Sequence, residues 1–435
     1  MLKECAELAS LDLKNTQSDP TIALMLCGTL FEDFFDTIGV SFETFRTAYV
    51  GSYQFGYISA LREAGVRTVL IYVSARVLQT QYFVHEPTGV QVCILPAPKI
   101  HRILRSLTSR FLFLKKPLSR SLDSYLILPL RLLMKELKQE NCKAILFQDY
   151  ENPSFDICVA LGKLIRLPVF ATFQGGSGQR SRLERPIRPL ALKACSGLII
   201  SAQAEVERVQ TKYNLPSNKI VRIFNPIDLA VWQAVDATNV RSSLGIPLNA
   251  KVVVFHGRID INHKGLDILL DAWEQVCDER AEVDLRLLLV GTGSDAEELR
   301  QRITAKKLRG VHWVNEFVHD RLLIRQYLSS ADVSVLSSRF EGFPVAPIEA
   351  MACGLPVVAS DVQGIAEILE CGEASGGLIV PRENAKTLAV ALMRVLDDET
   401  LRCELAKCAR SRVQNSFSLE TVGKQLRELL LKNVN

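Results

Sequence analysis

The sequence predicts an α/β protein made of two doubly wound domains in tandem, each with a mainly parallel sheet. The chain has 435 residues, which suits two domains of about 200 residues better than one core. Short apolar runs typical of buried strands alternate with segments of helical periodicity. This alternation breaks at Asn225-Pro226-Ile227-Asp228, where we place the domain boundary. Ligands are then expected at the carboxyl ends of the strands, in a cleft between the domains.

Apolar runs bounded by glycine, proline or polar residues predict the strands of both domains. In the first domain they cover residues 21–28, 67–73, 90–98, 142–150, 168–174, 196–202 and 219–225. In the second domain they cover residues 251–257, 284–291, 311–317, 332–338, 355–360 and 377–381. Residues 29–50 interrupt the first βαβ unit and are predicted to be an insertion. The predicted division is an N-terminal domain at 1–225, a C-terminal domain at 226–412, and a helix within 413–435 that packs back on the first domain.

Composition and charge narrow the class of protein. The net charge of +4 is nearly balanced and argues against a nucleic-acid-binding protein. The eleven cysteines form no C-x-x-C pair and the N-terminus has no apolar core typical of a signal peptide, so we expect reduced thiols and a cytoplasmic protein. The six histidines show no ligand spacing, and no metal site is expected.

The strongest motif is the run RFEGFPVAPIEAMACGLPVV, which starts at Arg339. A predicted strand leads into a loop carrying Glu341, and a helix then begins and carries Glu349. The amide groups at that helix start lie at the positive end of its dipole and predict a diphosphate-binding site. The two glutamates could hold opposite ends of one elongated ligand. The alternative is a solvated loop carboxylate and an exposed helix position.

The second motif is HGRIDINHKG, which starts at His256, at the end of the first predicted strand of the second domain. Arg258 and Lys264 flank this loop. Two cations at the carboxyl end of a strand suit a diphosphate and would stabilise the charge that develops on it as a leaving group. The alternative is a pair of solvated surface cations.

Together these segments resemble the family 4 retaining glycosyltransferases of GT-B architecture. The resemblance covers nearly all of the second domain through G-R…K-G, VGTG, the E-G-F-P…E-A-M-A-C-G-L-P-V-V-A-S run and GGLIVP, and reaches the first domain more weakly. It implies two Rossmann-like domains, with the nucleotide-sugar donor on the C-terminal domain and the acceptor on the N-terminal domain. In the first domain the weaker resemblance to the family lies in three segments, GSYQFGYISALREAGVRTVLIYV, PVFATFQG and NKIVRIFNPID.

The resemblance also assigns roles to residues of this chain. Arg258 and Lys264 would clamp the diphosphate, Glu341 would contact the donor sugar near the reacting centre, and Glu349 would contact the ribose. These three catalytic candidates, Arg258, Lys264 and Glu341, belong to a larger donor-binding set. The other members of that set are Gly51, Gln174, Gly257, Phe317, Val318, Gly342, Phe343, Pro344, Val345, Ala346 and Glu349.

Two departures from the family pattern concern the first domain. Many members have a histidine near the donor sugar where this chain has Gln174, and a glutamine cannot act as a general acid or base near neutral pH. The insertion at 29–50 separates the first strand from Gly51, which takes the place of the family's glycine-rich loop. Acceptor contacts are expected from Asp149, Glu151 and Arg180, where turn carboxylates and a solvated arginine are the alternatives.

The predicted activity is retaining, metal-independent transfer of a hexosyl unit to a saccharide or lipid-linked acceptor, without a cofactor. The pathway expected by analogy is surface-polysaccharide or glycolipid assembly. The basic, apolar segment 99–120 either contacts an anionic membrane as a peripheral anchor or forms an ordinary surface helix. The rival functions are a sugar-nucleotide epimerase or hydrolase, a non-catalytic sugar-nucleotide-binding partner, and an NAD enzyme. The last is suggested only by VGTGSDA at 290–296, which follows the second strand of its domain rather than the first.

Overall fold

The computed structural model of the chain describes residues 19–26, 30–37, 39–50, 53–110, 124–173 and 184–432. The chain divides into two compact units. Unit 1 comprises Met1–Phe224 with Val422–Asn435, and unit 2 comprises Asn225–Thr421. Each is an α/β unit around its own sheet, so the predicted fold class of two doubly wound domains is confirmed.

Unit 1 is built on a sheet of eight described strands in the order β3-β4-β2-β1-β5-β6-β7-β8. All neighbouring pairs are parallel except β3 and β4. The strands are β1 (Thr21–Leu26), β2 (Arg67–Ser74), β3 (Gln81–His85), β4 (Val90–Pro96), β5 (Cys142–Phe147), β6 (Val169–Thr172), β7 (Gly197–Ile199) and β8 (Ile220–Val221). Their apolar runs are continuous because helices cover both faces of a parallel sheet.

The helices of unit 1 include two that form within the predicted insertion. They are α1 (Phe31–Thr37), α2 (Phe42–Thr47), α3 (Tyr53–Glu63), α4 (Lys99–Arg110), α5 (Leu130–Gln139), α6 (Pro153–Ile165), α7 (Glu184–Ala194) and α8 (Gln203–Tyr213). In the insertion, Phe31 and Phe45 contact Tyr72 of β2 edge-to-face, with ring centroids 5.1 and 5.7 Å apart. The insertion therefore adds an aromatic layer to the core of unit 1.

Three predictions for unit 1 were wrong in detail. No strand was predicted at β3, whose sequence QYFVH is mostly exposed at the edge of the sheet. The strand predicted at 219–225 is only Ile220–Val221. Helical periodicity over 121–138 predicts one helix, but in the described part of this range Ser124 and Tyr125 are helical, residues 127–129 are not, and α5 begins at Leu130. The break lies at Pro129, the N-cap of α5, because the residue before a proline disfavours helical backbone.

Unit 2 has six strands, all parallel, in the order β11-β10-β9-β12-β13-β14. They are β9 (Lys251–His256), β10 (Leu285–Val290), β11 (Val311–Val314), β12 (Val333–Leu336), β13 (Val357–Ser360) and β14 (Gly377–Val380). β9 and β12 are neighbours at the centre of the sheet although 77 residues separate Val333 from His256 along the chain. The order reverses between them, which is the place where doubly wound sheets bind ligands.

The helices of unit 2 cover this sheet. They are α9 (Thr238–Ser243), α10 (Ile261–Lys264), α11 (Leu266–Glu279), α12 (Ala296–Ala305), α13 (Arg321–Ser329), α14 (Ala346–Ala352), α15 (Ile365–Ile368), α16 (Ala385–Asp397) and α17 (Glu399–Phe417). The last helix, α18 (Leu419–Leu431), begins in unit 2 and belongs to unit 1 from Val422 onward. The apolar face of α11 is buried, with Trp273 fully inaccessible. The periodicity of residues 263–276 predicts one helix, but this range is divided between two, because Gly265 adopts a left-handed φ of 59° and ends α10.

The structure changes the unit boundaries slightly. Unit 1 ends at Phe224 rather than 225, and the chain rejoins it at Val422. The C-terminal segment was predicted to begin at residue 413, which lies inside α17. The chain is still in unit 2 beyond this point, where Ile227 and Ser418 form a β-bridge. In α18, Arg427 donates to the carbonyl of Ala64 in unit 1. Among the described helices, none has the length and apolarity needed to span a membrane.

Candidate functional site

The loops that follow β9 and β10 are in backbone contact. A Cβ atom on Gly291 would lie 2.0 Å from the carbonyl oxygen of Gly257, and one on Gly293 would lie 2.1 Å from that of Ile259. Asp295 then accepts a hydrogen bond of 2.8 Å from the amide of Ile261, which holds the pKa of that carboxyl below its usual value. The glycines of VGTGSDA are therefore explained by close packing of two loops, without a dinucleotide.

The turn after β9 places Lys264 beside the end of β12. Asp260 caps α10 by accepting from the amide of His263 at 2.9 Å. Gly265 follows in the left-handed region, where a Cβ atom would lie 2.1 Å from the carbonyl oxygen of Ser337. The Ser337 hydroxyl donates to the Lys264 carbonyl at 2.9 Å. Only glycine allows this approach, so the lysine position is fixed by backbone packing.

Lys264 and Glu341 form the first contact pair of the site. The Lys264 Nζ donates to Glu341 Oε1 at 2.7 Å, and the Ser338 hydroxyl donates to the same oxygen at 2.6 Å. The side chains of Lys264 and Glu341 are 18% and 9% exposed. Two donors on one carboxylate oxygen fix the orientation of Glu341 and leave its second oxygen available to a ligand.

His256 and Glu349 form the second contact pair. Glu349 lies in the first turn of α14, and its Oε2 is 3.0 Å from Nε2 of His256 at the end of β9. The histidine side chain is 9% exposed and the glutamate 22%. The family resemblance implies a role for Glu349 but none for His256. The available signal was a polar residue at the last position of an otherwise apolar strand, directly before Gly257-Arg258.

Arg258 differs from the other arginine of the motifs. Its side chain is 63% exposed, and its described contact is a 3.3 Å bond to Asp260. Arg339 instead makes a bidentate pair with Asp267, at 2.8 and 2.7 Å, and bonds Glu383 at 2.8 Å. Of the two arginines, Arg258 is therefore the one that an anionic ligand can engage, whereas Arg339 holds α11 against the loop.

The remaining donor-binding candidates of unit 2 lie on three loops. Gly257 follows β9, and Phe317 and Val318 follow β11, where the Phe317 side chain is 64% exposed and contacts the ring of His319. The other candidates lie between β12 and the first turn of α14. They are Gly342, Phe343, Pro344, Val345 and Ala346. Within the described residues, direct side-chain bonds join Lys264 to Glu341 and His256 to Glu349, and Arg258 joins neither pair.

In unit 1, Asp149 and Glu151 follow the carboxyl end of β5. Asp149 has a left-handed φ of 58°, and burial raises its pKa to about 6. Its Oδ1 accepts from the amide of Glu151 at 3.0 Å. Tyr150, between them, donates to Glu205 of α8. The two acceptor candidates are thus partly buried members of a polar network.

Arg208 completes this network, and sequence reasoning missed it. It bonds Glu151 and Glu205, each at 2.6 Å, and the Tyr150 hydroxyl at 2.9 Å. Its guanidinium carbon lies 6.0 Å from the centre of the Phe173 ring. Arg208 and Glu205 lie on one face of α8, three residues apart, but only the fold brings them to the loop after β5. Gly51, Gln174 and Arg180 lie outside the described residues.

Comparison with known proteins identifies the family. A family model described as glycosyl transferases group 1 matches residues 250–398. The alpha-maltose-1-phosphate synthase of Mycolicibacterium smegmatis is 30% identical over 274 residues, which cover 59% of this chain and 67% of that protein. The chain belongs to the family 4 glycosyltransferases of GT-B architecture. The matched part of this family member contains both contact pairs and Arg258.

Two further similarities agree with this family. The D-inositol 3-phosphate glycosyltransferase of Corynebacterium urealyticum is 31% identical over 240 residues, which cover 53% of this chain and 55% of that protein. The matched segments thus span between about half and two thirds of these relatives' own lengths. The solved structure of Anabaena HepE in complex with UDP has a TM-score of 0.66 and 17% identity, and the match covers 95% of this chain and all of HepE. That similarity shows the GT-B fold.

Proposed function

We propose that this protein transfers a hexosyl unit from a nucleotide-diphospho-sugar to a saccharide or lipid-linked acceptor, with retention of the anomeric configuration. The observation that carries the proposal is the 2.7 Å contact between Lys264 and Glu341 at the carboxyl ends of the central strands β9 and β12. It places a cation beside a carboxylate whose second oxygen can meet a sugar hydroxyl. A diphosphate-linked sugar presents both complementary groups.

In the proposed reaction the bond between the anomeric carbon and the diphosphate breaks, and the diphosphate leaves with its negative charge. Lys264 and the exposed Arg258 would stabilise that charge in place of a metal ion. Glu341 would bind hydroxyls of the donor sugar, and Glu349 the ribose. The acceptor oxygen would form the new bond on the same face and pass its proton to the leaving phosphate, so no cofactor is required.

Names of the relatives support this donor class. The Corynebacterium urealyticum relative is named as a glycosyltransferase, and the Mycolicibacterium smegmatis relative is named as a synthase of a sugar phosphate. HepE was solved with UDP bound. Transfer of these properties to the present chain is part of the proposal, as are the donor base and the donor sugar.

We place the acceptor on unit 1, near Asp149 and Glu151. Arg208 is bonded to two carboxylates, so its charge is already compensated. That arrangement suits a neutral, hydroxyl-bearing acceptor better than an anionic group at this position. For a lipid-linked acceptor, α4 would bind the surface of the membrane that holds the lipid. Ile100 and Ile103 of this helix are 56% and 59% exposed and lie beside basic residues, and this combination supports peripheral membrane contact. Surface-polysaccharide or glycolipid assembly is the proposed pathway.

The test has a binding arm and a turnover arm, both in the presence of EDTA. The full-length protein is first screened for thermal stabilisation by UDP, GDP and ADP, since a ligand that binds the native state raises the melting temperature. Glu341→Ala should abolish most glycosyl transfer. Glu373→Ala, which removes a surface carboxylate paired with Arg394, is the matched control and should leave transfer unchanged. Product configuration is read by NMR, and an inverted anomeric centre would contradict retention.

The rival functions give different results in the same experiment. An epimerase or hydrolase would convert the nucleotide sugar without any acceptor. A non-catalytic binding partner would bind the nucleotide sugar but show no turnover with any acceptor. An NAD enzyme would be stabilised by a nicotinamide dinucleotide and not by a nucleoside diphosphate.

A further inference from the structure

His256 is the polar side chain at the end of the central strand β9. Its backbone is held in register with Val290 of β10, so the ring projects from a position that is paired within the sheet. The side chain is 9% exposed, which leaves little surface for a ligand. Its Nε2 lies 3.0 Å from Oε2 of Glu349. The contact therefore joins the strand that carries the Arg258 loop to the helix that carries Glu349.

The chemistry of the two groups fixes the direction of this hydrogen bond. An ionised carboxylate can only accept, so the proton must lie on Nε2 of His256. Glu349 has three rotatable side-chain bonds, and a single short bond to a fixed ring removes much of that freedom. The hydrogen bond engages Oε2 of Glu349, so Oε1 can accept a hydrogen bond from a hydroxyl group of a ligand.

We infer that His256 is a positioning residue that holds Glu349 in the orientation required to bind the ribose of the donor. This inference rests on the proposed function and specifies its substrate class, because it makes the site selective for ribonucleotides over nucleotides that lack the ribose hydroxyls. His256 acts through Glu349 and does not contact the donor. Removing it leaves a partly buried carboxylate without its fixed donor and lets Glu349 turn away from the ribose.

Selectivity between two nucleotides tests the inference. The ligands are the nucleoside diphosphate that stabilises the wild-type protein most and its 2′,3′-dideoxy analogue, with dissociation constants from calorimetry. His256→Phe keeps a ring of similar size but has no donor. It should weaken binding of the ribonucleotide by about tenfold, since a hydrogen bond to a charged group has that effect or more, and leave binding of the dideoxy analogue unchanged. The preference for the ribonucleotide should therefore collapse.

Two further variants separate positioning from general damage. His256→Gln retains an N–H donor at similar reach and should recover most of the ribonucleotide preference. His312→Phe makes the same substitution on β11 of the same sheet and should leave the preference at the wild-type value. In transfer assays His256→Phe should raise the KM of the donor about tenfold while kcat stays within threefold.

The outcomes are distinct. Unchanged ribonucleotide preference in His256→Phe overturns the inference while leaving the proposed function intact. A wild-type protein that binds none of the nucleoside diphosphates overturns both. If His256→Phe does not fold, His256→Ala, which also lacks the donor, takes its place in the comparison, with the same outcomes. NMR of the wild-type ring nitrogens provides a measurement without any variant, and a proton on Nδ1 with none on Nε2 would also overturn the inference.

Discussion

Each unit has basic side chains at the carboxyl ends of its strands, and the two units differ in how far these positive charges are already paired with carboxylates. In unit 2, Lys264 meets one carboxylate and Arg258 is 63% exposed with one long bond. In unit 1, Arg208 is bonded to two carboxylates and a tyrosine hydroxyl. The unit 2 edge can therefore receive an anion without first losing a network, whereas the unit 1 edge already has its charges paired. This difference supports a diphosphate on unit 2 and a neutral hydroxyl-bearing ligand on unit 1.

The largest expected effect is loss of activity in Lys264→Ala. Removing the cation beside Glu341 should lower kcat/KM for transfer at least about a hundredfold, because the charge on the leaving group is no longer stabilised. Lys306→Ala is the control, since Lys306 also pairs with carboxylates but on the surface, at Asp271 and Glu274. Activity of Lys264→Ala within threefold of the wild-type value would remove the basis for assigning the unit 2 edge as the donor site.

The second prediction concerns the glycine that fixes Lys264. Gly265→Ala should destabilise unit 2 by about 3 kcal/mol, through left-handed backbone strain and contact with the Ser337 carbonyl. Gly245→Ala has a similar φ of 65° but nothing within 4 Å of the new Cβ, so it should cost only about 1 kcal/mol. Urea unfolding is followed by tryptophan fluorescence, because all three tryptophans, Trp232, Trp273 and Trp313, lie in unit 2. Equal losses in the two variants would show that the close contact is unimportant.

Arg208→Ala should affect stability rather than donor binding. It leaves the buried side chains of Glu151 and Glu205, 8% and 4% exposed, without their cation and should destabilise unit 1 by about 2 kcal/mol. Circular dichroism during urea unfolding measures this effect. Arg302→Ala breaks an exposed pair with Glu298 and should cost less than about 0.5 kcal/mol. Weaker nucleotide binding in Arg208→Ala would contradict the separation of the two edges.

Arg258→Ala should weaken nucleotide binding and leave the stability unchanged, the opposite of Arg208→Ala. Because its side chain is mostly exposed, its loss should leave the urea midpoint unchanged. Binding of the nucleoside diphosphate should weaken by about tenfold, which is the effect of one charge-assisted hydrogen bond. Calorimetry gives the dissociation constant. A normal dissociation constant together with normal transfer would show that Arg258 is only a solvated surface residue.

The smallest effect is a pH dependence at Asp149. Burial raises its folded-state pKa to about 6 from an ordinary value of 3.8. Between these values the folded state retains the proton better than the unfolded chain, so stability is highest at low pH and falls as pH rises through 6. Asp149→Asn suits the left-handed backbone and removes this loss. Its advantage over the wild-type protein should grow from near zero at pH 4 to about 1–2 kcal/mol at pH 7, measured by urea unfolding. A constant difference across this range would rule out Asp149 as the titrating group.

Much of the architecture could be predicted because burial on both faces makes the strands of a parallel sheet nearly continuous apolar runs. The strands of unit 2 were predicted within one to three residues. The exceptions have physical causes. β3 is an exposed edge strand with mixed polarity, and Gly265 divides a helix whose periodicity looks continuous.

The sequence by itself determined the alternating α/β architecture and the residues of both second-domain motifs, because both follow from local periodicity and from side-chain chemistry close together in the chain. Only the tertiary structure decided which side chains meet. Lys264 reaches Glu341 across 77 residues and His256 reaches Glu349 across 93, since β9 and β12 become neighbours in the sheet. Whether a cation is saturated like Arg208 or exposed like Arg258 depends on such long-range neighbours, and no local pattern records them.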